Sequence, residues 1–190
     1  VMTHVVKTLS GFPEHRVIGS GTTLDTARLR FLLGEYFSID PKNVHAYVIG
    51  EHGDSEFVPW SQALIGTKPV ADIVSKYGDR FKQNEMDEIS EKVKNAAYEI
   101  IEAKTSTYYG IGMSLVRIVK AILKDENSIL TVSAYLNGEY GESNVYAGVP
   151  VVLGRQGVRG HLNINLTEDE KEKFHNSCEL LRQYYKETKI

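Results

Sequence analysis

In the stretch Glu51-His52-Gly53-Asp54-Ser55-Glu56 a single histidine stands among three carboxylates. An apolar run from His45 to Gly50 leads into it, and Gly50 and Gly53 permit tight turns and leave room for something to approach. An imidazole at the end of a strand can both give and take a proton near neutral pH. Alone, such a histidine reads equally well as a solvated loop residue with charged neighbours. Upstream, Asp25 and Arg28 are three apart on a predicted helix and share one face. A carboxylate beside an imidazole fixes its tautomer and favours its charged form. A planar guanidinium grips a carboxylate with two parallel hydrogen bonds. Asp25, Arg28 and His52 together therefore suit a small α-hydroxy or α-keto acid. Arg28 would anchor its carboxylate while His52 handles the proton on the adjacent oxygen.

Other chemistries fit less well. The histidines at 4, 15, 45, 52, 161 and 175 show no paired ligand spacing such as HExxH, so a metal site is not expected. Ser20 lies in Gly-Ser-Gly and not in a GxSxG elbow, which leaves a hydrolytic triad unsupported. The run Val17–Thr22 fails the GxGxxG spacing at Leu24, and nothing in the chain reads as a nucleotide-binding βαβ unit. Arg30 is two positions beyond Arg28, turned from it by roughly 200°. The two arginines cannot serve one pocket, so if both bind anions there are two anion sites. His45 and His52 fall on opposite sides of an extended chain, which places His45 with Arg30 and His52 with Arg28.

The 190 residues suffice for one large domain or two small ones. Charge is nearly balanced, 22 basic against 25 acidic, and no basic block points to nucleic acid. No apolar run is long enough to cross a bilayer. The opening Val1-Met2-Thr3-His4 has neither a start methionine nor a signal-peptide layout, as expected of a fragment. A single cysteine, Cys178, excludes an internal disulfide framework and fits a reducing compartment.

Around the site the periodicity predicts several elements. A helix tail over residues 1–10 stops at Gly11 and Pro13. A helix over 22–37 carries Leu24, Ala27, Phe31, Leu32 and Glu35 near helical spacing, and a strand spans 44–49. Residues 57–85 suggest only short helical pieces. Residues 86–124 read as two helical stripes, Ile89 to Ile101 and Tyr108 to Ile122, broken at Thr105-Ser106-Thr107. Asn137-Gly138 signals a hairpin after a strand at 129–136, and further strands lie near 146–153 and 158–164. A Thr167/Glu170 capping box opens a last helix with Phe174, Cys178, Leu181 and Tyr185 on one face. There Cys178 reads as a small core residue. The long helices carry more apolar surface than one small domain needs, so association is expected.

Three motifs make the pattern specific: Gly19-Ser20-Gly21-Thr22-Thr23-Leu24-Asp25-Thr26-Ala27-Arg28-Leu29-Arg30, then Ile49-Gly50-Glu51-His52-Gly53-Asp54-Ser55-Glu56, then Thr107-Tyr108-Tyr109-Gly110-Ile111-Gly112-Met113. In this order the chain resembles the catalytic half of L-lactate dehydrogenase. The resemblance implies an α+β fold, the lactate/malate dehydrogenase-like C-terminal domain, with long helices on a mostly antiparallel sheet and no Rossmann domain. Residues 1–190 would form the catalytic domain, with 1–16 the tail of an N-terminal dinucleotide-binding domain. It implies His52 as proton donor and acceptor, Asp25 orienting it, Arg28 holding the substrate carboxylate, and Thr107 lining the pocket. Ser20 and Ile111 match positions near the nicotinamide of NAD. Arg30 and His45 match the pair that binds fructose 1,6-bisphosphate across a subunit interface in allosteric bacterial members. Tyr98 corresponds to a tyrosine that is sometimes phosphorylated in bacterial members, but here packing is the expected role. The family implies a cytoplasmic glycolytic homotetramer. The rival readings are malate dehydrogenase, which shares His52, Asp25 and Arg28, and a non-catalytic oligomerisation fragment.

Overall fold

The computed structural model describes residues 1–78 and 80–190, and among these the chain forms six α-helices and two three-stranded antiparallel sheets. The expected α+β class holds, but the sheet is divided in two. The larger sheet has the order β4 (Ser128–Asn137), β5 (Ser143–Gly154) and β6 (Gly157–His161). The smaller joins the two-residue strands β1 (Val44–His45), β2 (Leu64–Ile65) and β3 (Lys68–Pro69).

The helices are α1 (Met2–Ser10), α2 (Thr23–Phe37), α3 (Val70–Lys76), α4 (Gln83–Lys104), α5 (Tyr109–Leu123) and α6 (Glu168–Glu187). The expected break lies between α4 and α5, where Thr105 adopts a left-handed φ of 69° and its hydroxyl donates to Lys104 O at 2.6 Å. The capping box at Thr167 and Glu170 forms as read. Phe174, Cys178 and Leu181 are buried beneath it, and Tyr185 stacks on His4 of α1 at 3.8 Å.

Two apolar cores result. One gathers the inward residues of β4 and β5 with Ile118 and Ala121 of α5 and Phe174, Cys178 and Leu181 of α6. The other joins Leu29, Leu33 and Phe37 of α2 to Val44, Ala46 and Val48 and to Met86, Ile89 and Val93 of α4. Val48 and Ile49 are consecutive, yet Val48 enters the second core and Ile49 the first. Alternation along an extended backbone sends successive side chains to opposite faces. The histidine loop therefore starts at the seam between the cores.

Several boundaries differ from the reading above. The strand expected over 44–49 pairs as a ladder only at Val44–His45, with isolated bridges from Ile49 to Phe57 and from Gly50 to Gly148. Side chains of α2 take the place of a neighbouring strand. Val48 N donates to Thr26 Oγ1 at 3.0 Å, Thr22 Oγ1 donates to Val48 O at 2.6 Å, and Arg30 Nε donates to Ala46 O at 3.0 Å. β4 and β5 form the expected antiparallel hairpin, with Asn137 opposite Ser143; its connection runs through a short 3-10 turn at Glu139–Gly141, and β5 begins at Ser143 and not at 146. β6 ends at His161 instead of 164. Residues 57–85 contain two short strands as well as α3.

The buried face of α2 also differs. Leu29, Leu33 and Phe37 point into the core, whereas Phe31 is 53 % exposed. Leu24, Ala27, Phe31 and Leu32 instead form one wall of a surface groove against Lys92, Ala96 and Glu99 of α4. Apolar residues occur all round α2, so periodicity alone could not choose between the faces. Likewise Ile101 of α4, and Leu115 and Val119 of α5, are exposed members of the predicted stripes.

Candidate active site

The first turn of α2 is tied into the large sheet by threonines. Thr23 Oγ1 donates to Thr131 O at 2.9 Å, and Thr131 Oγ1 donates to Thr22 O at 3.1 Å while lying 2.8 Å from Thr26 Oγ1. With Thr22 and Thr26 also bonded to Val48, one network fixes α2, β4 and the approach to the histidine loop in a single register. Fully satisfied buried polar networks of this kind hold geometry tightly.

The loop itself is pinned on its far side. Gly50 exchanges two backbone hydrogen bonds with Gly148 in the middle of β5, at 2.9 and 2.7 Å. Its φ of 102° suits glycine, and a Cβ there would lie 2.7 Å from Ser177 Oγ. On the side where a Cβ would point, the space beside Gly50 is thus filled by α6. Glu51 N donates to Ser177 Oγ at 2.7 Å, and Ser55 Oγ donates to Glu51 Oε2 at 2.6 Å. Tyr98 of α4, expected to serve in packing, is exposed, and its hydroxyl donates to Asp54 Oδ1 at 3.0 Å, so it braces the loop by a hydrogen bond.

On this frame the loop brings His52 Nδ1 to 2.7 Å from Asp25 Oδ2, and Arg28 Nη1 lies 3.3 Å from Asp25 Oδ1. Asp25 is only 2 % exposed, while the imidazole is 52 % exposed. Of the three loop carboxylates only Glu56 turns inward, its Oε2 3.6 Å from the same Nδ1. The contact with Asp25, followed by that with Glu56, raises the His52 pKa from 6.5 to about 10 against the opposing effect of burial. Burial lifts Glu56 from 4.5 to about 6, which His52 partly offsets. The three donor atoms of Asp25, His52 and Glu56 lie within 4.8 Å of one another. The 2.7 Å between Nδ1 and Oδ2 is a hydrogen-bond spacing, however, and two ligands of a tetrahedral ion would stand about 3.3 Å apart.

Asp25 joins His52 to Arg28, but the two cations front on different depressions. His52 opens on a cleft of about 460 Å³ with Gly19, Ser20, Gly21, Gly50, Ser133 and Gly148 on its walls. Arg28 lines the α2–α4 groove. Thr107 sits in the break before α5, and no hydrogen bond ties it to Arg28 or His52 among the described residues. Ile111 follows Gly110, where an added Cβ would lie 3.3 Å from Leu24 of α2, so the start of α5 rests against the turn that carries Asp25.

Arg30 turns away from Arg28 as helix geometry requires, with its guanidinium over the ring of Tyr47 at 5.1 Å. Its burial there lowers its pKa. His45 is exposed on β1, and no hydrogen bond joins it to Arg30 among the described residues, although Arg30 Nε bonds the carbonyl of the next residue, Ala46. Ser177 and the threonine network had no signal in the sequence pattern, and Glu56 was named there only as one of three carboxylates near His52. Glu56 alone could have been suspected, from its place four residues after His52.

The fold and this constellation define a class that comparison with known proteins makes specific. The family model for the lactate/malate dehydrogenase alpha/beta C-terminal domain matches residues 22–189. The chain belongs to the lactate/malate dehydrogenase family. It is 54% identical over 183 residues to L-lactate dehydrogenase 2 of Bacillus cereus, covering 96% of this chain and 58% of that protein. It is 55% identical over 182 residues to L-lactate dehydrogenase of Geobacillus stearothermophilus, covering 96% and 57%. A lactate dehydrogenase from a Medee basin deep-sea metagenome library superimposes with a TM-score of 0.96 at 47% identity, over 100% of this chain and 60% of that one. The minor L-lactate dehydrogenase from Enterococcus mundtii, in its ligands-bound form, gives 0.92 at 48% identity over 96% and 58%. The chain thus spans a little under three fifths of the length of these relatives.

Proposed function

We propose that this chain is the catalytic half of an NAD-dependent L-lactate dehydrogenase that interconverts (S)-lactate and pyruvate. The observation that carries this reading is the shared carboxylate: Asp25 holds His52 on one oxygen and Arg28 on the other. The relatives above are lactate dehydrogenases by name, which favours lactate over malate as the substrate.

The cleft beside His52 fits one end of a nicotinamide coenzyme and no more. Gly19, Gly21, Gly148 and Ser20 leave room on its walls for a flat ring beside the imidazole, among larger lining residues such as Tyr146 and Leu181; Ile111 on α5 is not part of this lining. Both sheets are antiparallel throughout among the described residues, and no βαβ unit is present there to hold the phosphates. When bound, the coenzyme supplies the hydride acceptor or donor.

The chain's own residues handle the carboxylate and the proton. Arg28 pairs with the substrate carboxylate by its free guanidinium edge, and the family resemblance assigns Thr107 to the same pocket. Protonated His52 gives a proton to the ketone oxygen of pyruvate; neutral His52 takes the hydroxyl proton of lactate. Asp25 keeps Nδ1 protonated, which leaves Nε2 to face the substrate oxygen. In this reading the wall that joins the His52 cleft to Arg28 comes from the coenzyme-binding half, and residues 1–16 are its trailing end, stacked on β5 and α6. Arg30 and His45 form the effector site for fructose 1,6-bisphosphate in a cytoplasmic, glycolytic homotetramer.

The test joins the chain at Val1 to the segment that precedes the matched region in the Geobacillus stearothermophilus relative. NADH-dependent reduction of pyruvate, well above that of oxaloacetate, is expected; a preference for oxaloacetate would replace lactate by malate. The 190-residue chain alone should show negligible turnover. Measurable pyruvate-dependent NADH oxidation by that chain would overturn the division of labour.

A further inference from the structure

Two carboxylates converge on His52 Nδ1, and the mechanism above uses one. Glu56 is 5 % exposed and its Oε2 is 3.6 Å from Nδ1; among the described residues neither this oxygen nor Asp25 Oδ2 has any other partner, so both depend on the imidazole. A buried carboxylate oxygen without a donor is costly unless a positive charge compensates it.

The surrounding charges identify that compensating cation. Arg28 of α2 is engaged by Asp25. Lys94 of α4 pairs with Glu91 at 3.3 Å, and Lys173 of α6 pairs with Asp169 at 2.8 Å. Asp87 of α4 adds further negative charge to the cavity that Glu56 borders. In the loop, Glu51 accepts from Ser55 and faces the α-amino group of Val1, while Asp54 accepts from Tyr98. Lys94 still acts on Glu56 from across the cavity, but the cation that acts on it most strongly is the imidazolium of His52.

We propose that Glu56 is a second positioning residue for the His52 proton, acting by charge across 3.6 Å while Asp25 takes the direct contact. Nδ1 carries one proton and bonds to one oxygen at a time, so Glu56 does not set the tautomer. It deepens the electrostatic well for the imidazolium, the form that reduces a keto acid, and moves upward the pH at which the neutral form that oxidises a hydroxy acid appears. The direction of this bias rests on the dehydrogenase reading; the charge coupling itself does not. The raised pKa of His52 agrees with it.

The coupling is read in the 190-residue chain by NMR titration of its six histidine rings. In Glu56→Gln, which removes the charge and keeps the shape, the His52 midpoint should fall by about one pH unit, a tenfold loss of proton affinity. Glu56→Asp, which keeps the charge, should restore most of it, and the other five rings should not move. An unchanged His52 midpoint in a natively folded Glu56→Gln chain overturns the proposal. If that variant does not fold, His52→Gln is read instead at the Glu56 carboxyl carbon. Its midpoint should rise by a comparable amount, and no change would be equally fatal. A His52 that shifts as expected, in a joined protein that fails to reduce pyruvate, would sink the dehydrogenase reading and leave the coupling standing.

Discussion

Asp25 and His52 stand 2.7 Å apart, Oδ2 to Nδ1, with the carboxylate almost wholly buried and half of the imidazole open to solvent. The charge is held from behind and the proton-carrying ring is presented in front. That asymmetry suits a group that must exchange a proton without losing its orientation. It arises because the first turn of α2 is locked to β4 by Thr22, Thr23 and Thr131, while the histidine loop is locked to β5 and α6 by Gly148 and Ser177.

Replacing Arg28 by lysine should be severe despite the retained charge, because an ammonium cannot make the forked contact with a carboxylate. In the joined protein, kcat/KM for pyruvate should fall by about 2–5 kcal/mol in transition-state binding, the range for one partner of a buried charge pair. Steady-state kinetics checks it; a loss of less than a few-fold would remove Arg28 from the substrate site.

The raised pKa of His52 makes stability depend on pH. The folded state binds this proton more tightly than the unfolded chain, so the contribution is complete below 6.5 and is lost as pH rises toward about 10. Glu56, raised from 4.5 to about 6, acts with the same sign between those values. Solvent at the half-exposed imidazole reduces the size of the effect but not its direction. Melting temperature should decline from pH 6.5 to 10, and His52→Gln should flatten that decline. Equal slopes in both chains would mean that the pair contributes nothing to folding.

For the second anion site, Arg30→Gln combined with His45→Gln should abolish the response of the joined protein to fructose 1,6-bisphosphate. Activity without effector should be unaltered, since Arg30 contacts Ala46 O and Tyr47 and not the His52 constellation. An activation curve like that of the parent would show the site to be misplaced.

On α5, Met113, Val116, Leu123 and their neighbours form an exposed apolar face. Contiguous exposed apolar faces mark interaction surfaces. Sedimentation of the 190-residue chain at several concentrations should show self-association, and Val116→Lys with Leu123→Lys should weaken it. A parent chain that stays monomeric throughout would refute the expectation of assembly through this face.

Much of the framework was legible in the residues, because it depends on local rules. The helix break at Thr105, the capping box at Thr167, the common face of Asp25 and Arg28 and the opposite heading of Arg30 all follow from turn chemistry and helical repeat. An imidazole, a carboxylate and a guanidinium have few shared uses, which limited the chemistry to consider, and the three long motifs pointed to the family.

Tertiary structure alone decided the rest. Which face of α2 is buried depended on where β4 and α4 lie, because apolar residues surround that helix. The extended run to Gly50 lost most of its ladder because threonine hydroxyls of α2 satisfy its backbone in place of a strand. The inward turn of Glu56, and the space beside Gly50 filled by Ser177, result from packing between segments far apart in the chain. Long-range contacts of this kind leave no periodic trace in the sequence, so only the folded coordinates reveal which carboxylates reach the histidine.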